Sequence, residues 1–447
     1  MSTVNKCAST VYSKIGEELY LKSELADVHF VFKVADGVFE RIPAHKLLLK
    51  SVSDVFHTMF NETWREKVEV EIVDTSVVEF KEFLQFFYFE QVTVTTENIS
   101  KVMYLGDKYN VAGCMSVCEQ FLISSLDDGN LFQNYELGIF FNQPKLKKYC
   151  ESVIAVDTKK VLASGNFMVC DRKVLSHILN IDTLSCTEAE LFEACMEWTK
   201  TAANVDNLTR QDVNRQLGNL LYQIRFKSMT LQQFGTLIPS YGSLFSADEY
   251  KDISQSTVMP DFESNIFSNN KRTPFENRQW NEEEKIECNR LLSLGFSTNP
   301  YYIKNIEKTT FSVNKPMILK KIRCCRISEY KSNVYFLMKE LPTEIKIVQI
   351  NESVPSNEKC VLYDGNTLLN SWESTCINLQ KLIVVKPGFM YEVQLKQTPP
   401  PNCCTGSLLK SEIDMDPIIN VQFHQDPIDP VDKVPRGTIL ALQFYRI

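Results

Sequence analysis

The sequence lacks the patterns that mark many enzymes, secreted proteins and membrane proteins. It contains no Gly-x-Gly-x-x-Gly fingerprint, no P-loop, no Gly-x-Ser-x-Gly and no His-Glu-x-x-His. No apolar run approaches the roughly 18–20 residues that a membrane-spanning helix needs, and the N-terminal stretch lacks the apolar core of a secretory signal. We therefore expect a non-catalytic protein that uses no cofactor and does not contact membranes.

Charge and metal-binding patterns are equally sparse. The 48 basic and 56 acidic residues give a net charge of −8, and no basic run indicates nucleic-acid binding. The 14 cysteines form no Cys-x-x-Cys pair and the five histidines are far apart in sequence, so no structural metal is expected. Without a secretory signal, reduced thiols and a cytoplasmic or nuclear location are expected.

Proline is scarce in the first part of the chain. Only Pro43, Pro144 and Pro239 precede residue 255, and the other 14 of the 17 follow it. Because proline interrupts helix interiors and sheet centres, the chain is predicted to change from helix-rich to strand-rich near residue 255. Residues 257–285 carry Pro, Asn and charge without a clear period, which indicates a linker. The length of 447 residues predicts about three domains.

The stretch 44–72 combines helical signals, a polar loop and a strand. Apolar residues recur at helical spacing over 52–60 and alternate with glutamates over 68–72. Between these elements, Trp64 lies in a short charged loop. This is unusual, because large apolar side chains are mostly buried and such a loop is expected at the surface. Trp64 either contacts a partner protein or folds back on its own domain.

Periodicity predicts further elements on both sides of this stretch. Two capping boxes, Thr187 to Glu190 and Ser246 to Glu249, indicate helix starts in the region 130–256. The other predicted elements are a helix over 13–25, a strand over 28–34, a helical stripe over 80–87, a short strand over 92–94, helices over 99–109 and 112–126, and strands near 345–350, 389–395 and 440–444.

Several of these segments resemble known families. DVHFVFKV, IPAHKLLLKSVSDVFHTMF, VEVEIVD, FKEFLQFFYFEQVTVT and GDKYNVAGCMSVCEQFL resemble a BTB/POZ domain in order and spacing. ELFEACMEWTK and LGNLLYQIRFKSMTLQQF resemble a BACK domain in its BTB–BACK–PHR form. The C-terminal strands and the ending RGTILALQFYRI resemble a PHR β-sandwich, from which KKIRCCRISEY departs because PHR domains usually carry a Gly-rich block there.

The resemblance implies a multidomain α+β protein. It predicts an α/β BTB domain, an all-helical BACK domain and a divergent, PHR-like C-terminal β-sandwich. The predicted boundaries are 1–26 for the N-terminal segment and first BTB helix, 27–126 for BTB, 127–256 for BACK, 257–289 for the linker and 290–447 for the sandwich.

The resemblance also implies a function and its sites. A protein of this kind would recruit substrates to a cullin-RING ubiquitin ligase. Its partners would be a cullin three scaffold with its RING protein, an unknown protein substrate and a second copy bound through BTB. Cullin-binding relatives often carry a hydrophobic-x-Glu motif after the third helix, where Trp64-Arg65-Glu66 stands. The implied cullin contacts are Phe60, Trp64, Glu66, Tyr109 and Asn110. The implied dimer contacts are Tyr20, Leu21, Leu25, Asp27 and Lys46.

Each assignment has an alternative that the sequence leaves open. Tyr109 could be a half-buried core residue, and Phe140 and Phe141 could pack in a core rather than extend a partner contact. His45 and Lys46 could simply begin a helix, with the histidine hydrogen-bonded. The protein could also be a non-catalytic dimeric scaffold or transcriptional co-regulator that uses BTB only for protein–protein interaction, because the fold alone does not define function.

Overall fold

Helices dominate the chain up to residue 258, and strands dominate the remainder. The computed structural model describes residues 11–35, 38–61, 68–89, 92–274, 284–293, 301–331, 334–336, 340–351, 359–370, 373–405, 408–414, 419–424 and 435–446. The chain forms two units, residues 1–150 with 170–175 and residues 151–169 with 176–447. Within the described ranges, every helix is too short or too polar to cross a membrane.

The first unit contains a three-stranded sheet in which β1 is central, antiparallel to β2 and parallel to β3. Both predicted strands form, and Phe30 and Val70 lie in the core. The predicted alternation is confirmed only in part, because Val34 and Val68 at the strand ends are 52% and 56% exposed, whereas Val31 on the other face of the central strand is buried. Phe30 packs on Phe56 and Phe80. The elements are α1 (Val11–Leu19), β1 (Val28–Ala35), β2 (Val38–Ala44), α2 (Lys46–Val52), α3 (Asp54–Asn61), β3 (Glu69–Ile72), α4 (Val77–Phe89), α5 (Ile99–Lys108), α6 (Ala112–Ser124) and α7 (Leu131–Phe140).

Two local predictions in this unit are wrong. The helix predicted over 13–25 ends at Leu19, and Leu21 and Leu25 have positive φ angles of 59° and 62°, a conformation that a right-handed helix excludes. The strand predicted over 92–94 does not form. The backbone N–H and hydroxyl of Thr93 instead donate to Gln85 Oε1, so side chains provide the hydrogen bonds that a strand would need.

The helical part continues to residue 258. Both predicted capping boxes are confirmed: Thr187 and Glu190 begin α12, and Ser246 and Glu249 begin α15. The elements are α8 (Pro144–Val156), α9 (Thr158–Leu162), α10 (Gly165–Met168), α11 (Arg172–Asn180), β4 (Thr183–Leu184), α12 (Glu188–Ala203), α13 (Arg210–Gln216), α14 (Leu231–Tyr241), α15 (Ala247–Val258) and β5 (Thr273–Pro274), with 3-10 helices at Gly218–Gln223, Phe226–Ser228 and Gly242–Leu244.

The described beginning of the predicted linker packs against the helical part. Strand β5 pairs in parallel with β4. The Phe267 ring meets the Phe226 ring edge-on at 4.7 Å, and Phe262 O accepts from Lys227 Nζ at 2.7 Å. Residues up to Pro274 therefore share the packing of the helices that precede them.

Two main sheets pack around one core in the C-terminal part. Their strand orders are β15-β10-β21-β6 and β14-β13-β16-β9-β20-β19. The predicted strands near 345, 391 and 442 are confirmed as β13, β16 and β21. The elements are β6 (Lys285–Asn289), β7 (Leu291–Ser293), β8 (Tyr301–Tyr302), β9 (Ile306–Val313), β10 (Met317–Cys324), β11 (Ser328–Lys331), β12 (Val334–Phe336), β13 (Leu341–Ile350), β14 (Lys359–Leu369), β15 (Thr375–Val385), β16 (Met390–Gln397), β17 (Cys403–Thr405), β18 (Leu408–Leu409), β19 (Glu412–Asp414), β20 (Asn420–His424) and β21 (Ile439–Arg446).

Candidate functional site

The end of α3 positions the first group of candidate partner contacts. Phe60 is buried in the last turn and stacks on Phe56, with ring centroids 5.9 Å apart. Lys46 Nζ lies 5.5 Å from the centroid of the Phe60 ring, close enough for a cation–π contact. Phe60 therefore supports α3 from within the domain. Trp64 and Glu66, the other two predicted contacts of this segment, lie outside the described residues.

The end of α5 carries the second group. Tyr109 is 3% exposed, and its ring stacks on Phe56 and Phe83 at 4.4 and 5.7 Å. Burial raises the pKa of the Tyr109 phenol above its usual value. The next residue, Asn110, is exposed and has a φ of 50°, which ends the helix. Tyr109 thus belongs to the core, and the accessible residue of this pair is Asn110.

A polar cluster beside Tyr109 has no signature in the sequence. Tyr104 Oη and Lys108 Nζ donate to the Asp74 carboxylate at 2.5 and 2.7 Å, joining α5 to the turn before α4. The Lys108 hydrogen bond holds the pKa of Asp74 below its usual value. Lys108 Nζ also lies 5.1 Å from the Tyr109 ring centroid. The cluster fixes the last turn of α5, and Asp74 lies 30 and 34 residues before Tyr104 and Lys108 in the sequence.

The predicted dimer contacts on α1 and the following turn differ in exposure. Tyr20 is half-buried, donates to Lys81 O at 2.7 Å and packs edge-on against Tyr88 and Phe89. Leu21 is half-buried as well. Leu25 is 84% exposed and is therefore the member of this group that offers an apolar side chain to a partner.

The remaining predicted dimer contacts organise the start of α2. Asp27 Oδ1 accepts from the backbone N–H of Lys46 at 2.7 Å, which satisfies an otherwise unpaired helix N-terminus. The alternative reading of a helix start with a bonded histidine is confirmed: His45 is the N-cap residue. Its Nδ1 lies 2.9 Å from Tyr88 Oη and its Nε2 lies 3.1 Å from Glu24 O. Asp27 and Lys46 therefore have a structural role within the monomer.

Exposed apolar side chains reveal one candidate that sequence reasoning missed, Leu47, and one that it left open, Phe140. Leu47, in the first turn of α2, is 79% exposed, although its neighbour Leu49 is buried. Phe140, at the end of α7, is 73% exposed and meets the buried Phe141 edge-on at 4.8 Å. The other large apolar residues of the first unit with substantial exposure include Ile15, Val34, Val38 and Phe39. Helical periodicity could not separate Leu47 from Leu49, because all three residues of Leu47-Leu48-Leu49 are apolar.

Cysteines and carboxylates are numerous in the chain, and such side chains can serve as metal ligands or nucleophiles. Within the described residues, no cluster of three His, Cys, Asp or Glu side chains could hold a metal ion. Burial raises the pKa of the Cys288 and Cys325 thiols to about 12, so both stay protonated at neutral pH and are poor nucleophiles. The most exposed large apolar side chains described in the first unit include Leu25, Leu47 and Phe140.

Comparison with known proteins identifies the first half of the chain. The BTB/POZ domain family matches residues 17–126, and the family described as BTB And C-terminal Kelch (BACK) matches residues 131–238. The chain therefore contains a BTB/POZ domain followed by a BACK domain.

Curated relatives share the BTB–BACK region. Mouse BTB/POZ domain-containing protein 6 is 32% identical over 213 residues, which cover 47% of this chain and 39% of the relative. Human BTB/POZ domain-containing protein 3 is 31% identical over 232 residues, which cover 51% and 44%. The chain thus spans about two fifths of the length of these relatives. The BTB domain of human gigaxonin is also similar, at 20% identity and a TM-score of 0.21 over 27% of this chain and all of that one.

Proposed function

We propose that this BTB–BACK protein recruits substrates to a cullin-RING ubiquitin ligase. The observation that carries the proposal is the succession of a BTB match over 17–126 and a BACK match over 131–238 in one chain. BTB would bind a cullin three scaffold with its RING protein and form a homodimer, BACK would act as a spacer, and the C-terminal sandwich would hold a protein substrate. The adaptor would supply proximity, while the transferase carried by the RING protein performs the reaction.

The proposed cullin contact combines residues 62–67, which follow α3 and lie outside the described residues, with two exposed groups. Trp64 and Glu66 supply the hydrophobic-x-Glu motif that the sequence places in this segment. Asn110 and Phe140 add exposed groups at the ends of α5 and α7. An exposed aromatic ring such as that of Phe140 gains binding energy when a partner pocket removes it from water. Phe60 and Tyr109 are buried, so they would contribute indirectly, by holding α3 and α5 in place.

The proposed dimer uses exposed apolar side chains other than those of the cullin contact. Leu25 and Leu47 are two strongly exposed ones. Leu47 follows the His45 N-cap by two residues, and Leu25 follows Glu24, whose carbonyl oxygen contacts His45. Exposed apolar groups that are close together mark interaction surfaces more often than isolated ones. A symmetric dimer would present two cullin sites and two substrate sites, so linked engagement would raise avidity without new contacts.

Capture of the cullin tests the proposal directly. Full-length protein, tagged and expressed in cells, is expected to recover a cullin and its RING protein. Trp64→Ala with Glu66→Ala and, separately, Phe140→Ala should each reduce that recovery. Val169→Ala is the matched control for Phe140→Ala, because Val169 is 75% exposed but lies in the second unit.

Two results would contradict the proposal. Unchanged cullin recovery by the Trp64→Ala, Glu66→Ala protein would show that residues 62–67 are not the contact. Recovery of corepressor proteins without any cullin would favour the non-catalytic scaffold or transcriptional co-regulator instead. In either case the dimer would remain testable by light scattering of the purified full chain.

A further inference from the structure

One long strand of the C-terminal sandwich has an edge that no other described strand covers. β14 is the outermost strand of the six-stranded sheet and pairs with β13 along ten consecutive β13 positions. Its apolar residues Val361 and Leu368 are each 50% exposed. Unpaired strand edges accept an extended peptide as an additional strand, and proteins usually shorten, charge or cover them.

A cavity opens beside the end of this strand. It has a volume of about 940 Å³ and is bordered by three consecutive β14 residues, Asn366, Thr367 and Leu368. The ends of β13, β16 and β9 form its other walls. A chain added along β14 would therefore pass the mouth of the cavity and could place a side chain in it.

The charged groups of the cavity neutralise one another. Glu344 and Lys396 are its charged lining residues, and Lys396 Nζ lies 2.9 Å from Glu344 Oε2. A phosphorylated, acidic or basic side chain would have to compete with this ion pair. The cavity therefore favours an uncharged occupant.

Two buried polar residues, Thr343 and Gln397, also border the cavity. Thr343 Oγ1 lies 3.1 Å from Leu341 O and 3.2 Å from Gln397 Oε1, and Gln397 Nε2 donates to Lys304 O at 3.3 Å. Because successive residues of a strand point to opposite faces, these two side chains face away from the exposed Glu344–Lys396 pair. Their hydrogen bonds are made within the domain, so they support the sheet and do not select the occupant.

We propose that β14 and the adjoining cavity bind an extended, uncharged segment of a recruited protein, which adds as a strand to β14 and places an uncharged side chain in the cavity. This proposal rests on the adaptor function proposed above, because it assigns the place where the substrate is held. A second copy of the chain, pairing edge to edge through β14, is the competing occupant that the test must distinguish.

The test begins with a display library of random linear peptides selected on the immobilised full chain. A peptide enriched on the wild-type protein is synthesised, and its affinity is measured by fluorescence anisotropy. Leu368→Lys, at the cavity mouth, should weaken binding about tenfold or more. Thr398→Lys, an exposed residue that also lines the cavity, should do the same and guards against a folding defect specific to one variant.

Val361→Lys is the matched control on the same strand. Val361 has the same exposure as Leu368, but it lies seven residues away, about 23 Å along an extended strand. We expect Val361→Lys to change the affinity far less than Leu368→Lys does. The bound peptide should also protect amides of residues 359–369 from hydrogen exchange, and raising the salt concentration should change its affinity little because the cavity has no net charge.

Three results would overturn the proposal. The first is a library that yields no peptide preferring the wild-type protein over Leu368→Lys. The second is a selected peptide that binds both proteins equally. The third is a molecular mass, measured by light scattering, that is half as large for Leu368→Lys as for the wild type, because that result would assign the β14 edge to a second copy of the chain. Cullin recovery by Leu368→Lys separates the two proposals. If wild type binds the peptide but captures no cullin, the adaptor function fails and the peptide site stands.

Discussion

Arg272 is expected to hold the end of the helical part in place. Its Nε donates to Glu188 Oε2 at 2.8 Å, and the two side chains are only 4% and 0% exposed. Its other nitrogens donate to Leu179 O and Ile181 O, at and just beyond the end of α11, where helix carbonyls lack partners in their own helix. One guanidinium from the segment after α15 therefore neutralises a buried carboxylate and caps a helix.

Replacing Arg272 by Met keeps much of the side-chain volume but removes the charge and these hydrogen bonds. Glu188 would still accept from the backbone N–H of Arg225 at 2.8 Å, but its charge would be buried without a counter-ion. Removing one partner of a buried pair costs roughly 3–5 kcal/mol, and we expect that decrease in the free energy of unfolding. Arg272→Met with Glu188→Met should recover part of the loss, because the uncompensated charge is gone.

Hydrogen exchange of the α11 and α12 amides, measured at increasing urea concentration, gives the free energy of unfolding of the helices that Arg272 contacts. Arg215→Met is the control, because Arg215 pairs with Asp212 at 3.2 Å while 64% of its side chain is exposed, and such surface pairs contribute at most about 1 kcal/mol. If Arg272→Met costs no more than Arg215→Met, the argument from burial is refuted. A chain cut at residue 256 should lose more than this, because it also lacks Phe267 and β5, whereas one cut after 274 should keep the Arg272 contribution.

Three further outcomes are expected. Glu119 accepts from the two backbone N–H groups that begin α8 at 2.9 and 3.0 Å, so Glu119→Ala should lower the free energy of unfolding in urea by about 1–2 kcal/mol; Glu119→Gln, which keeps an acceptor oxygen, should lose less. Tyr109→Ala removes a ring stacked on Phe56 and should cost about 3–5 kcal/mol in the same assay, whereas Tyr109→Phe, which keeps the ring, should be close to neutral if stacking is what matters. Hydrogen bonds from an ammonium and from a backbone N–H hold the pKa values of Asp74 and Glu79 below those of the unfolded chain. Their contribution is complete above about pH 5, where the carboxyls of the unfolded chain are ionised, and it is lost as the pH falls through the lower folded values. The urea midpoint should therefore drop over that interval unless Asp74 and Glu79 are replaced by Asn and Gln.

Local spacing was sufficient to predict the elements whose stabilising contacts are close in sequence. The capping boxes at Thr187 and Ser246 need only residues three positions apart. The alternation in β1 and β3 predicts the burial of Phe30 and Val70, although Val34 and Val68 at the strand ends are exposed. The strand predicted over 92–94 failed for the opposite reason. Its β-branched residues favour a strand, but Gln85, eight residues away, takes the hydrogen bonds of Thr93, and nothing in the local pattern encodes that competition.

The candidate site depended on contacts between distant residues, which the sequence could not supply. Tyr109 was expected at a partner surface, yet its burial is set by Phe56 and Phe83 from two other helices. The Asp74–Lys108 pair joins residues 34 positions apart, and Arg272 reaches back 84 positions to Glu188. Each of these residues looks like an ordinary surface residue when it is considered alone, so only the fold distinguishes a core or structural role from a binding role.

The two proposed surfaces of the BTB domain share structure at the start of α2. Asp27 caps this helix at Lys46, and the Lys46 ammonium lies over the ring of Phe60, which belongs to the cullin group. A substitution at Asp27 would therefore disturb both surfaces, and reduced cullin capture by that variant would not show that capture requires a dimer. Leu25→Asp avoids the problem, because Leu25 is 84% exposed and takes no part in this capping. We expect a protein of half the mass by light scattering that still recovers the cullin; loss of both properties would mean that cullin capture depends on the dimer.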